Sequence, residues 1–256
     1  VLVASWNVNS IRARQDAVLA WVDAHRPDVL CMQETKVPDD KFPVDAFEAR
    51  GYRVATHGQK SYNGVAIVAR HALHGVETGF DDGEDELGAR LLAATVNDVR
   101  IFSCYVPNGQ VVGSPAAEQK IRWLAHLRER LERRHRPTDL LALCGDFNVA
   151  TDDRDVHDPD FWKMQVLYHS SMREALQHLK GFGLVDTFRL YHEDGGKYSW
   201  WDYRLLAFPR NHGLRIDYVF ASRGLADRCS AASIDREARK GKLPSDHAPV
   251  LATFDV

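Results

Sequence analysis

Short apolar runs alternating with amphipathic helical stretches, with no linker between them, constrain this chain more than any other feature. LVASWNV, DVLCMQE, NGVAIVAR, DLLALCGDF, LRIDYVFAS and PVLATFDV each carry such a run. Strands that read this way are buried on both faces. After the first run, Ile11, Val18, Leu19 and Val22, with Gln15, trace one helical face. Asn9 or Ser10 is expected to cap that helix and Pro27 to stop it. A further helical turn is expected near residues 44–50, before the strand-like YRVATHG. Residues 88–96 and 99–106 predict a hairpin turning at Asn97–Asp98. The clearest helix is expected from Pro115 to about Arg136, with Ser114 as its cap and Pro137 beyond its end. Its core stripe is read as Ile121, Leu124, Leu127 and Leu131. The basic stretch Arg128–Arg136, interleaved with Glu129 and Glu132, reads as a solvated face with ion pairs. Ser171 to Glu174 has the form of a capping box, opening a helix that ends at Gly181. The alternation predicts one domain, residues 1–256, of two packed sheets covered by helices.

Composition narrows the class. Of the 256 residues, 45% are hydrophobic and 27% charged, which excludes a disordered chain. Mean hydropathy is −0.37, and no apolar run approaches the roughly 18 residues of a membrane span. The opening VLVASWNVNS has no basic stretch before its apolar one, so no signal peptide is expected. A net charge of −3 excludes tight binding by bulk charge but permits a local basic face. Cys31, Cys104 and Cys144 fall inside apolar runs and no CxxC pair occurs, so buried free thiols are expected rather than a zinc site.

The polar residues that carry chemistry share a position at the ends of apolar strands. Asn7 and Asn9 end the first, Glu34 the second, Asp146 and Asn148 follow LLALCG, Asp217 follows LRI, and Tyr105 follows IFSC. Asp246 and His247 immediately precede the last strand. Strand ends present side chains from a rigid backbone to a shared crevice. One such carboxylate is usually a turn residue, but four together with Asn and His point to a site. Carboxylates and amides are hard ligands that suit Mg²⁺ or Mn²⁺ rather than zinc. His247, with Asp217 to orient it, suits a proton donor or an oxyanion stabiliser. No GxGxxG opens a helix after a strand, and no GxxxxGK[ST] or GxSxG occurs. The pattern fits metal-assisted hydrolysis of a phosphate ester.

At these residues the sequence resembles the exonuclease III family of bacterial abasic-site endonucleases, in the endonuclease/exonuclease/phosphatase superfamily. The resemblance runs in order through SWNVNSIRAR, PDVLCMQETK, YNGVAIV, YVPNG, GDFNVA, DRDVHDP, GLVDTFR, YSWWDYR, GLRIDYVFAS and SDHAPV. It implies an α/β fold, a four-layered sandwich of two packed mixed β-sheets flanked by helices. It implies Glu34 as principal metal ligand with Asn7 beside it, Asn9 close by, and Asp246 near the metal. Asp146 is implied to orient or deprotonate the attacking water, with Asn148 supporting it. His247 would lie against the scissile phosphate with Asp217 as its partner, and Tyr105 and Asn108 at the phosphate. Arg90 resembles a DNA-contacting position, with packing at the edge of the core an equal reading.

Substrate choice is expected in YSWWDYR and GLRID, which resemble the family's pocket wall for a sugar lacking its base, with Trp200, Leu214 and Ile216 facing it. An aromatic wall accepts a flipped-out abasic deoxyribose, while an intact nucleotide is too bulky. Trp201 is expected in the core. Gln110 and Val111 stand where some relatives hold an arginine that penetrates the duplex. The implied activity is Mg²⁺-dependent DNA cleavage 5′ to abasic sites and trimming of 3′ ends in base-excision repair, with Mn²⁺ as a possible substitute. Duplex DNA would be the partner of a monomer, in the cytoplasm at the nucleoid and away from membranes. The rival readings are a phosphodiesterase of small phosphate esters or phosphoinositides, which YSWWDYR and GLRID argue against, and a silent DNA-binding module. Carboxylates without a metal would repel phosphate, which argues against the second.

Overall fold

The computed structural model describes residues 1–80 and 87–256. The strands are β1 (Leu2–Asn7), β2 (Val29–Gln33), β3 (Arg53–His57), β4 (Val65–Ala69), β5 (His74–Thr78), β6 (Leu91–Val96), β7 (Val99–Tyr105), β8 (Leu141–Asp146), β9 (Leu184–Asp186), β10 (Asp217–Ser222), β11 (Cys229–Ile234) and β12 (Val250–Phe254). The helices are α1 (Ile11–His25), α2 (Val44–Glu48), α3 (Pro115–Arg134), α4 (Pro159–Trp162), α5 (Ser170–Lys180) and α6 (Arg223–Ala226). The strands form two six-stranded sheets, ordered β11-β12-β1-β2-β4-β3 and β5-β6-β7-β8-β10-β9. Each sheet holds one parallel pair, β1 with β2 and β7 with β8, and its other pairs are antiparallel. A parallel pair needs a crossover, and α1 and α3 lie within those two connections.

Successive residues of β2 point to opposite faces, and both faces are covered. Val29 and Cys31 join β7 and β8 residues Ile101, Ala142 and Cys144 in the core between the sheets. Leu30 and Met32 face outward, against Val18, Leu19 and Val22 of α1. On the far side, Leu124, Leu127 and Leu131 of α3 and Leu176 of α5 cover Phe102, Leu143 and Phe220. These four layers are the α/β sandwich expected from the sequence. Cys31, Cys104 and Cys144 are buried free thiols.

Several local readings are corrected. Ser10 precedes α1 without a side-chain cap, and α5 begins at Ser170 with the His169 ring, not Ser171, as the capping acceptor. On α3 the buried stripe runs through Ala117, Lys120, Leu124, Leu127 and Leu131, and Ile121 lies at its margin. Arg130, read as solvated, is buried and pairs with Glu77 at 2.7 Å. The Asn97–Asp98 turn forms as expected, with both residues in the left-handed region.

Candidate active site

Sheet register brings the polar strand ends together. Tyr105 on β7 and Asp217 on β10 are both registered against Asp146 on β8, so three site residues stand abreast in one sheet. In the other sheet Asn7 is registered against Gln33, and Glu34 follows at once. The loops beyond β1 and β2 continue the pairing: Val8 N–H donates to Gln33 O at 3.0 Å and Ser10 N–H to Glu34 O at 2.7 Å. Asn9, Ser10, Glu34 and Lys36 hold positive φ there, as does Asn148 beyond β8. Non-glycine residues in this region store strain that the surrounding bonds must hold. The glycine of GDFN is required by close approach, since a Cβ on Gly145 would lie 2.0 Å from Cys104 O. Ser245 Oγ donates to Asn7 O at 2.7 Å, and Trp6 Nε1 donates to His247 O at 3.1 Å, tying the SDH loop to β1.

Asn7 is central to the cluster. Its amide nitrogen donates to Glu34 Oε1 at 2.8 Å and to Asp146 Oδ2 at 2.9 Å, while its oxygen accepts the Asn9 N–H at 3.0 Å. The expected ligand oxygen of Asn7 is therefore turned away from the carboxylates, and in this orientation Asn7 braces two of them. The second Asp146 oxygen accepts the Asn148 N–H at 2.9 Å. His247 Nδ1 lies 2.9 Å from Asp217 Oδ2, and its Nε2 lies 3.7 Å from Asp146 Oδ2. Asp246 accepts from Asn9 Nδ2 at 2.9 Å and from Trp200 Nε1 at 3.0 Å.

Burial sets the electrostatics. It pushes the Asp146 carboxyl up to about 7, reinforced by the Asp217 and Glu34 carboxylates and opposed by His247 and Asn7. Burial alone would lower the His247 imidazole, but Asp217 and Asp146 outweigh it and hold the ring up to about 10. Burial also works against ionised Glu34, yet Lys36 and Asn7 bring its pKa below the usual value. Tyr105 stays a phenol because burial and the Glu34 and Asp146 carboxylates push it up.

Ligand atoms of Glu34, Asp146 and His247 lie within 4.8 Å of one another. The Glu34 and Asp146 carboxylates in this group are hard oxygen donors with concentrated negative charge. That chemistry fits a hard divalent cation. Lys36 Nζ contacts the outer Glu34 oxygen at 2.8 Å and Asn9 Oδ1 at 2.6 Å, which leaves the inner oxygen facing Asp146.

Residues 4–247 match the Endonuclease/Exonuclease/phosphatase family. The chain belongs to this family. It is 33% identical to exodeoxyribonuclease III of Haemophilus influenzae across 98% of each chain. Among solved structures it is similar to an AP endonuclease from Archaeoglobus fulgidus, with 38% identity, a TM-score of 0.97 and all of both chains covered. It is also similar to a 3′-5′ exonuclease from Neisseria meningitidis, with 39% identity, a TM-score of 0.95 and the same coverage.

In this member of the Endonuclease/Exonuclease/phosphatase family the remaining expected residues sit around the cluster. Arg90 is half-buried, lies 4.7 Å over the Tyr105 ring and donates to Leu87 O at 2.9 Å. Asn108 is exposed and donates to Asn148 Oδ1 at 3.2 Å. Trp200 is half-buried beside Asp246, with Trp162 packed edge-on against it at 6.3 Å. Leu214 and Ile216 are 0% and 1% exposed. Leu214 pairs through backbone bridges with Trp200 and Val156, and both residues belong to the core cluster against which Trp200 packs. Trp201 is in the core as expected.

Sequence reading missed Lys36 and Ser199. Ser199 Oγ donates to Asp217 Oδ2 at 2.6 Å and accepts the Asp217 N–H, fixing the partner of His247. Its signal was a lone serine between aromatics in YSWW. That of Lys36 was a lysine two residues from the strand-end glutamate.

Proposed function

We propose that this protein is a metal-dependent DNA repair nuclease that hydrolyses phosphodiesters with the Asp146–His247 cluster. The observation that carries the reading is one crevice in which buried carboxylates face a buried imidazolium. Asp146 accepts a proton from, or orients, a water in line with the phosphorus; Asn148 and Asn7 hold it by its two oxygens. His247, kept charged by Asp217, faces the scissile phosphate and offsets the charge that grows there. Tyr105, a protonated phenol, and Asn108 donate to phosphate oxygens. Mg²⁺, or Mn²⁺ in its place, would be held by Glu34 and Asp146 with Asp246 nearby, and would supply neutralisation of the phosphoryl oxygens.

The substrate is duplex DNA, at abasic sites and at 3′ ends. An AP endonuclease and a 3′-5′ exonuclease stand at nearly equal identity, which supports both activities. A further Neisseria structure, of a 3′ phosphatase, holds a product DNA hairpin. One chain supplies every residue of the cluster, which supports a monomer, to be checked by light scattering. A DNA substrate supports a cytoplasmic place at the nucleoid, which imaging of a tagged chain would test. Among the described residues no helix is long and apolar enough to cross a membrane.

A second reading, 3′-end processing without internal incision, is favoured by the burial of Leu214 and Ile216, the residues expected to face an abasic sugar. One experiment separates the two. An end-labelled duplex with a central abasic analogue, and a second with a recessed 3′-phosphate, are incubated with Mg²⁺ or with EDTA. Incision 5′ to the analogue and 3′-end release, both only with Mg²⁺, are expected. Release from the 3′ end alone selects the second reading, and neither product would defeat the proposal.

A further inference from the structure

The residue that the cluster does not use, and that the fold does not otherwise explain, is Lys120. It sits on the apolar stripe of α3 and is 0% exposed. Among the described residues no carboxylate comes within ion-pair distance of its ammonium. Instead Nζ donates to Asn108 O at 3.0 Å and to Asn148 O at 2.6 Å. These are backbone carbonyls of the two loops that follow β7 and β8. A lysine in such a place is unfavourable for α3: burial brings its pKa down to about 7, with Asp146 alone pulling the other way. A leucine or methionine would serve helix packing better.

Resting on the nuclease reading above, we propose that Lys120 is a positioning residue that clasps the Tyr105–Gly109 and Gly145–Asn148 loops from beneath. Three further observations converge on it. Asn148 holds a left-handed backbone with φ 52°, and that conformation turns its carbonyl toward Nζ while its N–H reaches Asp146 Oδ1. The same peptide segment thus links the clasp to the carboxylate that handles water. The side chains above repeat the link, with Asn108 Nδ2 donating to Asn148 Oδ1 and Asn148 Nδ2 donating to Val106 O at 3.0 Å. Finally, Gly109 leaves room for the lysine stem: a Cβ there would lie 3.0 Å from Lys120 Cδ and 2.9 Å from Val166 Cγ2. Two loops from neighbouring strands, each carrying a phosphate- or water-facing group, share one amine donor as their floor.

The test compares Lys120→Met, which keeps length and removes the donors, with Lys120→Gln, which keeps an N–H₂ on a shorter stem. Each is measured for kcat and duplex Kd, for thermal midpoint, and for amide hydrogen exchange in residues 105–110 and 145–150. Lys120→Met is expected to lower kcat by roughly 10- to 100-fold, the scale of a small misplacement of reacting groups, with duplex Kd little changed. Exchange should rise in both loops together, and Lys120→Gln should recover part of the rate and of the protection. A folded Lys120→Met with parental kcat and parental exchange overturns the clasp. So do losses in both variants that simply follow the thermal midpoint without recovery by Gln. If the parent cuts no DNA, the nuclease reading falls, while the paired change in exchange still decides the clasp.

Discussion

At the scale of single residues, the buried His247 shows how neighbours decide chemistry. Burial disfavours its charged form, and the Asp217 and Asp146 carboxylates reverse that and hold the ring up to about 10. A folded-state pKa above the unfolded value of about 6.5 gives stability that is complete below that value and is lost as pH rises toward the folded one. Asp217→Asn removes the main partner, so the alkaline limb of the kcat/KM profile should move to lower pH, and the acid limb should move down with it, since the Asp217 carboxylate also helps raise Asp146. A pH–rate series on parent and variant checks this, and an unmoved alkaline limb would take His247 out of the reaction. Glu34 makes the second residue-scale prediction. Glu34→Ala should retain its fold, bind Mn²⁺ much more weakly by calorimetry, and regain part of its activity in excess Mg²⁺. Full activity in EDTA would end the metal assignment. The strand-end carboxylates and His247 were legible in the sequence because each flanks an apolar run. The orientation of the Asn7 amide was not, since only the spacing of Glu34 and Asp146 across two sheets turns its nitrogen toward them.

At the scale of elements, strands buried on both faces declared themselves, and of the edge strands only β3 did. HGVET of β5 is largely exposed and half of CSAASI in β11 is, and neither carries the apolar run that marked β2 or β8. The α5 cap was misread because the His169 ring takes the place that a capping serine would hold. Helical periodicity also favoured Ile121 over Lys120, since a hydropathy pattern cannot anticipate a lysine buried for its donors. The proposed substrate wall belongs to this scale too. Trp200 hydrogen-bonds Asp246 and carries Leu214 behind it, so it joins the YSWW segment to the SDH loop. Trp200→Ala should lower abasic incision by roughly 10- to 100-fold, the worth of one aromatic stacking or packing surface. Hydrolysis of a small diester, which uses only the cluster, should fall much less. Equal losses on both substrates with a lowered melting temperature would make Trp200 a packing residue.

At the scale of the whole molecule, the site exists because two sheets of the same design meet face to face. Each contributes the carboxyl ends of a parallel pair: Asn7 and Glu34 from one, Tyr105 and Asp146 from the other. The core that joins them is legible as the continuous apolar runs of β2 and β8, buried at every position. The sheet order is not, because nothing in a single run names its neighbour. The central claim is that this junction activates water through Asp146, and single-turnover cleavage by Asp146→Asn tests it most directly. The substitution keeps shape and removes basicity. With saturating Mg²⁺ and duplex, the cleavage rate should fall by at least ~100-fold, the usual scale of a general base, while duplex binding is retained or tightened as one negative charge leaves the phosphate site. Near-parental cleavage by a folded Asp146→Asn protein would contradict the claim and assign water activation to another residue.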